Sequence, residues 1–135
     1  MSIGHGAHGK LLRCDDEQIE YAYCSFDVNK PNYEEKREEL DGIIVLDASI
    51  FKIIDSYRRY KGDVSDTERA ALRLSPDELD CQTLRSMGMV QIMNSSGAWI
   101  MDKDGTDRHA VRLVNKIIAE YSKKEKIPQI IGLYY

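Results

Sequence analysis

The sequence predicts an α+β fold, with a mainly antiparallel sheet of about five or six strands, a long C-terminal helix on one face and short helices between two hairpins. Strand-type segments stand next to each other in pairs instead of alternating with helices, which favours antiparallel pairing. A segment near the C-terminus repeats apolar residues at helical spacing, which predicts the long helix. The 135 residues match the usual size of one domain. We therefore expect a single domain over residues 1–135.

The first hairpin follows a short N-terminal segment. Residues 1–9 are rich in glycine and histidine, and we expect them to form a loose arm. The next residues, Lys10–Cys14, lead into a polar turn at Asp15–Glu17. Beyond the turn, aromatic and β-branched residues alternate with a period of two, which is typical of a pleated strand. The pattern predicts a hairpin over Gly9–Phe26.

The middle of the chain changes from a polar to an apolar and then to a helical pattern. Residues 27–41 are polar and charged without an apolar stripe, and predict a mobile, solvated loop. Gly42–Asp47 is an apolar run of strand length, and Ser49–Tyr60 places apolar residues on one helical face. Two capping boxes, Ser65–Glu68 and Ser75–Glu78, predict the starts of two further short helices.

A second hairpin and the long helix complete the predicted order. Met89–Met93 reads as a strand, Asn94–Gly97 as a turn and Ala98–Met101 as the returning strand. The long helix follows, with Asp107 near its positive end, and Ile130–Tyr135 is a last strand. The apolar residues of the helix recur at helical spacing: Ala110, Leu113, Val114, Ile117, Ile118 and Tyr121.

The charge balance limits the class of protein. With 23 acidic and 19 basic residues the net charge is -4, which argues against a nucleic-acid binder because such a protein needs a basic face. The balance would suit a basic protein partner, or it serves only to keep the protein soluble.

The cysteines and the apolar runs set further limits. The three cysteines, Cys14, Cys24 and Cys81, have neither the pattern of a disulfide framework nor that of a zinc site. Without a signal peptide or an apolar run of membrane length, we expect a cytoplasmic protein that contacts no membrane. The oligomeric state stays open.

Two segments could hold a metal ion. His5 and His8 lie close together in sequence, but no cysteine or acid follows at metal-site spacing. Asp102–Asp107 resembles the start of a calcium loop, but no glutamate closes it. A disordered arm and a strand-to-helix turn explain these segments without a metal ion, so we expect neither a metal nor another cofactor.

His109 is the candidate for catalysis. It lies in the first turn of the long helix with Asp104 and Asp107 nearby, and a His–Asp pair could act as a base and its orienter. No local motif marks a nucleophile, and no phosphate-binding glycine loop or metalloprotease motif is present. A small enzyme is therefore the alternative and not the leading hypothesis.

Acidic and aromatic residues outside the predicted core suggest an interface. Tyr21, Trp99 and Tyr121 are assigned to the core. Exposed aromatic residues framed by carboxylates are typical of an interface anchor with a polar rim, although a solvated turn and loop would give the same pattern. The candidate partner-binding residues are Asp15, Asp16, Glu17, Tyr33, Glu34, Glu35, Glu38, Glu39 and Tyr60.

Several short strings give the chain a family resemblance. They are Ser2-Ile3-Gly4, His8-Gly9, Tyr21-Ala22-Tyr23, Asp41-Gly42-Ile43-Ile44-Val45-Leu46-Asp47, Trp99, Gly105, Asp107, Ala110-Val111-Arg112-Leu113 and Ile127-Pro128. Over nearly the whole chain the sequence resembles small uncharacterised proteins of Gram-positive bacteria and their mobile elements. Proteins of this kind often resemble immunity proteins of contact-dependent and other polymorphic toxin systems. The resemblance implies binding to one toxin domain, and it supplies no functional residues.

The leading hypothesis is an immunity-type binding protein without catalysis. Its acidic surface would dock a cognate toxin domain, expected to be basic, and block that domain's active site or substrate path. The alternatives are the small enzyme that uses His109 and an accessory or regulatory subunit that acts through the same surfaces.

Overall fold

The computed structural model describes residues 5–27, 40–59 and 79–134. Within them lie five strands and three helices. The strands are β1 (His5–Cys14), β2 (Gln18–Asp27), β3 (Gly42–Asp47), β4 (Val90–Met93) and β5 (Ile130–Tyr134). The helices are α1 (Ser49–Arg59), α2 (Cys81–Ser86) and α3 (Arg108–Lys124). The predicted loop and the two predicted capping boxes lie wholly or largely outside the described residues.

The strands form one sheet in the order β4-β3-β2-β1-β5. Every neighbouring pair is antiparallel, which confirms the predicted α+β class. The first and last strands of the chain are neighbours, and Gly6 pairs with Tyr134. The β1–β2 register shifts between Leu11 and Arg13, so the intervening Leu12 is the extra residue of a bulge.

One face of the sheet carries the core because side chains alternate along each strand. On β2, Ile19, Tyr21 and Tyr23 are at most 1% exposed, and Tyr21 pairs with Ile44 of β3. These residues share one cluster with buried residues of all three helices and of the other strands. The helical members of that cluster are Ile50, Phe51, Ile54, Cys81, Leu84, Ala110, Leu113, Val114, Ile117 and Ile118.

Local chemistry sets where the helices begin and end. The Asp80 side chain accepts a hydrogen bond from the backbone N–H of Thr83 and caps α2, and the Asp107 side chain caps α3 through the N–H of His109. Such caps satisfy backbone donors that a helix leaves without a partner. At the other end of α3, Glu125 takes a left-handed conformation with φ 59°.

Two predictions about the sheet are wrong. Residues 5–9 of the predicted loose arm belong to β1, where they pair with both β2 and β5. The predicted return strand Ala98–Met101 is irregular, and its one ladder contact is an isolated bridge between Met101 and Asp107. Instead of forming a second hairpin, β4 pairs with β3.

No helix in the described part of the chain combines the length and the apolar character needed to cross a membrane.

Candidate functional site

The predicted acidic tip lies at the turn between β1 and β2, and Asp15, Asp16 and Glu17 are all exposed there. Asp15 organises the turn, because its Oδ1 accepts hydrogen bonds from the backbone N–H groups of Gln18 and Glu17, both at 2.8 Å. These two hydrogen bonds lower the pKa of the Asp15 carboxyl. Its Oδ2 lies 2.6 Å from Nε of Arg13. The Asp15 carboxylate therefore uses part of its hydrogen-bonding capacity within its own turn.

Asp47 joins the tip at the end of β3. Its backbone pairs with Gln18, and the next residue, Ala48, donates a backbone hydrogen bond of 3.0 Å to the carbonyl of Glu17. The exposed Asp47 carboxylate accepts hydrogen bonds from the N–H and the hydroxyl of Ser49, at 2.9 Å and 2.7 Å. Glu17 and Asp47 also line an open cavity of about 230 Å³.

We call Asp15, Asp16, Glu17 and Asp47 the acidic end of the sheet. Among the described residues, one guanidinium lies within ion-pair distance of these carboxylates: that of Arg13, which pairs with Asp15. Asp16, Glu17 and Asp47 form no ion pair with any described residue. A surface of this kind attracts a positively charged partner.

The bulge places an apolar side chain next to the acidic end. Leu12 is 56% exposed. In a regular strand, the alternation of side chains would fix the face of the sheet to which it points. Bulges commonly redirect a side chain in this way. Leu12 lies three residues before Asp15, so an exposed apolar side chain and exposed carboxylates occur on the same hairpin.

Part of the predicted partner-binding set cannot be placed. Tyr33, Glu34, Glu35, Glu38, Glu39 and Tyr60 lie outside the described residues. The structure brings Asp15, Asp16 and Glu17 together with Asp47, which sequence reasoning missed. The signal was the position of Asp47 at the end of a predicted strand, because antiparallel pairing of that strand with β2 brings its end to Gln18.

A second site, which we call the polar cluster, lies where the start of β1 and the second half of β2 meet the start of α3. All of its members except His5 are buried. Its members are His5, Tyr23, Ser95, Asp107 and His109. Asp107 and His109 are 0% and 1% exposed. The Tyr23 hydroxyl donates to Oδ2 of Asp107 at 3.0 Å and accepts from the Ser95 N–H at 3.0 Å. Oδ1 of Asp107 accepts from the His109 N–H at 3.0 Å.

Burial decides the ionisation of this cluster. It raises the pKa of Asp107, and hydrogen bonds from the His109 N–H and the Tyr23 hydroxyl partly offset that rise. Burial also lowers the pKa of His109 to about 4, with a further contribution from the nearby His5. Because both Asp107 oxygens accept hydrogen bonds and the His109 side chain is sealed from water, the cluster favours an ionised carboxylate beside a neutral imidazole.

Trp99 covers the outer side of the cluster and is not a core residue as predicted. It is 36% exposed, and its ring packs edge-on against His5, with 5.4 Å between centroids, and obliquely against His109 at 5.6 Å. His5 reaches this position because it begins β1. Its Nδ1 lies 2.9 Å from Nε2 of His109.

The geometry does not make His109 a general base with an aspartate orienter. Its Nδ1 is 3.8 Å from Oδ1 of Asp107, which is longer than a hydrogen bond. A base must also reach the proton it removes, and in this conformation the His109 side chain is only 1% exposed. Asp104, the other predicted partner, is exposed and lines a separate cavity.

The two metal candidates have structural explanations. His5 and His8 fall on opposite faces of β1, and the His8 ring lies 6.1 Å from that of Phe26. Asp102 accepts from the N–H groups of Asp104 and Thr106, at 2.8 Å and 3.0 Å, and pairs with Arg85. Among the described residues, no three His, Cys, Asp or Glu side chains are grouped as a metal site.

Comparison of the chain with protein-family models, with curated proteins and with solved structures finds no match in any of the three.

Proposed function

We propose that this protein is an immunity-type binding protein that neutralises a cognate bacterial toxin domain by binding it through the acidic end. The observation that carries the proposal is the grouping of four exposed carboxylates, Asp15, Asp16, Glu17 and Asp47, at one end of the sheet, where Arg13 is the one described residue whose guanidinium pairs with any of them. The toxin domain is basic where it meets this surface, since complementary charge speeds encounter and fixes the register of the complex.

The size of the surface is compatible with a stable inhibitor. A typical specific interface buries about 800 Å² on each partner, which is about a tenth of the 8242 Å² accessible surface of this chain. The acidic end supplies the rim of such an interface, and the exposed Leu12 supplies an apolar contact beside it. Neither the sealed His109 nor the turn-bound Asp102 competes as a substrate-facing site.

Co-expression tests the function directly. The chain is produced together with the protein encoded immediately upstream, and growth rescue and co-purification are measured. The proposal expects both, and failure to rescue growth together with failure to co-purify would reject that partner and the toxin-neutralising role with it.

A matched pair of double variants tests the surface. Asp16→Asn with Glu17→Gln removes two charges from the acidic end, and Asp104→Asn with Glu125→Gln removes two exposed charges elsewhere. Exposed ion pairs contribute about 0.2–1 kcal/mol each, so the first variant should weaken binding about twofold to thirtyfold at low salt, mainly through a slower association rate. The second variant keeps the affinity and the salt dependence of the original chain. Equal effects of the two variants would remove the acidic end from the interface.

The enzyme alternative makes a different prediction. If His109 were catalytic, His109→Ala would abolish an activity of the isolated chain. The immunity proposal expects that variant to act only through stability.

A further inference from the structure

The contact between His5 and His109 joins two distant parts of the chain. The two residues are 104 positions apart, and Nδ1 of His5 lies 2.9 Å from Nε2 of His109. At this distance one ring nitrogen donates a proton and the other accepts it, so at least one of the two imidazoles must be neutral. Two imidazolium rings have only donors and cannot make this hydrogen bond.

Charged groups on every neighbouring element face the pair. The N-terminus of α3 places the positive end of the helix dipole at His109, and Arg112 on the same helix also opposes a positive charge on that ring. Asp27, which pairs with His5 across the β1–β2 ladder, favours a positive charge on His109. Asp107, which holds Tyr23, lies 3.8 Å from Nδ1 of His109. Asp27 and Asp107 can offset one positive charge on the histidine pair. A second positive charge would lie next to the first and be repelled by it.

We propose that the His5–His109 contact is a proton-operated latch between the start of β1 and the start of α3. The latch is closed while the pair holds at most one proton. It opens when both rings are protonated, and the first residues of β1 then separate from α3.

The position of the contact makes its opening local. His5 is the first residue of β1 and contacts the cluster at the rim of the sheet, whereas the apolar core lies further along the strands. The low pKa of His109, about 4, places the second protonation in acid. Repulsion between the two adjacent charges drives the opening, and the ladder of β1 with β2 from Lys10 to Cys14 keeps the rest of the strand in place.

Trp99 is a built-in reporter of the latch. It is the only tryptophan in the chain, and both imidazole rings pack against it. A protonated imidazole quenches an adjacent indole, so Trp99 emission should fall in a sigmoidal step as the pH of the purified full chain is lowered from 8 to about 2.5, which extends below the His109 pKa of about 4.

Three variants show which histidine causes the step in Trp99 emission. In His5→Asn, burial still lowers the pKa of His109, but the contribution of the second imidazole is removed, so the midpoint should move to higher pH. His8→Asn is the matched control, because His8 is the remaining histidine and lies on the other face of β1. It should leave the midpoint unchanged. His109→Asn should remove the low-pH step, and if it does not fold, the comparison of the other two variants decides.

Amide hydrogen exchange distinguishes a latch from a general loss of stability. After correction for intrinsic rates, the amides of residues 6–9 should lose protection at least tenfold between pH 7 and the low-pH side of the step. On that side the protection of residues 6–9 should also lie at least tenfold below that of Leu113 and Ile117 in α3, whose own loss should not exceed the fall in global stability that urea unfolding measures. His5→Asn should abolish the pH dependence at residues 6–9. An unchanged midpoint in His5→Asn, pH-independent Trp99 emission, or uniform loss of protection throughout the chain would each overturn the proposal.

Discussion

Replacing Tyr23 by phenylalanine removes one hydroxyl from the centre of the polar cluster. Tyr23 is fully buried, and that hydroxyl makes two hydrogen bonds of 3.0 Å, one to Asp107 Oδ2 and one from the Ser95 N–H. Asp107 and Ser95 are 0% and 5% exposed, so water does not replace the lost partner. The aromatic ring stays, and the packing changes little.

The expected loss of unfolding free energy follows from these two hydrogen bonds. A hydrogen bond to a charged group contributes about 1.5–3 kcal/mol, and a buried donor without a partner costs about 1–3 kcal/mol. We therefore expect Tyr23→Phe to lower the free energy of unfolding by about 3–5 kcal/mol at pH 7, a large share of the roughly 5–15 kcal/mol that stabilises a typical domain.

Urea unfolding followed by far-UV circular dichroism measures the effect, with Tyr121→Phe as the control. The Tyr121 hydroxyl also binds a carboxylate, at 2.9 Å from both oxygens of Asp55, but both residues are only half-buried. Water can then satisfy the carboxylate, and the control should lose at most about 1 kcal/mol. Equal losses in the two variants would refute the reasoning from burial.

The pH dependence of the Tyr23→Phe deficit has a definite sign. The Tyr23 hydroxyl lowers the pKa of Asp107, so removing it raises that pKa further in the folded state. The deficit is therefore largest at a pH where Asp107 is ionised, and it becomes smaller as the pH falls and Asp107 takes up a proton. The same urea experiment at several pH values checks this trend, and a deficit that grows in acid would contradict it.

Three further predictions concern other positions. Gly42→Ala should cost about 1–3 kcal/mol in unfolding free energy, because the added Cβ would lie 2.2 Å from Cε1 of Tyr23, and a loss below 0.5 kcal/mol would contradict this. Asp15→Ala should lower the midpoint of thermal unfolding through the lost turn hydrogen bonds, whereas Asp16→Ala should leave it nearly unchanged, and equal midpoints in the two variants would contradict this. The pKa of His109 is lowered from 6.5 to about 4, so its stabilising effect is complete above pH 6.5 and is lost as the pH falls towards 4. Relative to His109→Gln, urea unfolding should show a loss of about 3 kcal/mol across that window, and a constant difference would contradict the assignment.

The strands that sequence reasoning found are those whose side chains alternate against the core. In Gln18–Asp27, Ile19, Tyr21 and Tyr23 stand at every second position, and this period identifies the strand. α3 is predicted for the same reason, since its apolar positions repeat at helical spacing. Local capping residues such as Asp107 also predicted where that helix begins.

The elements that sequence reasoning missed depend on distant partners. The glycines and histidines at residues 5–9 have the composition of a flexible arm, yet a Cβ at Gly9 would approach the Ala22 carbonyl to 3.2 Å and Ile131 Cγ2 to 3.3 Å. Close packing of three strands requires a small residue there. Trp99 has the character of a core or strand residue, and only the arrival of His5 from the other end of the chain explains its position. No local pattern contains that information.

The pairing of β1 with β5 has a consequence for synthesis of the chain. Gly6 and Tyr134 are neighbours in the sheet, although almost the whole sequence separates them. At about 5–20 residues per second on the ribosome, roughly 5–20 s pass between completion of β2 and completion of β5. During that interval β5 does not yet exist, so the backbone groups of β1 that will pair with it have no partner strand. Contacts between residues so far apart in sequence also form slowly. The nascent chain is therefore most vulnerable to wrong strand pairing along β1, and a chaperone that shields this edge would improve the yield of folded protein.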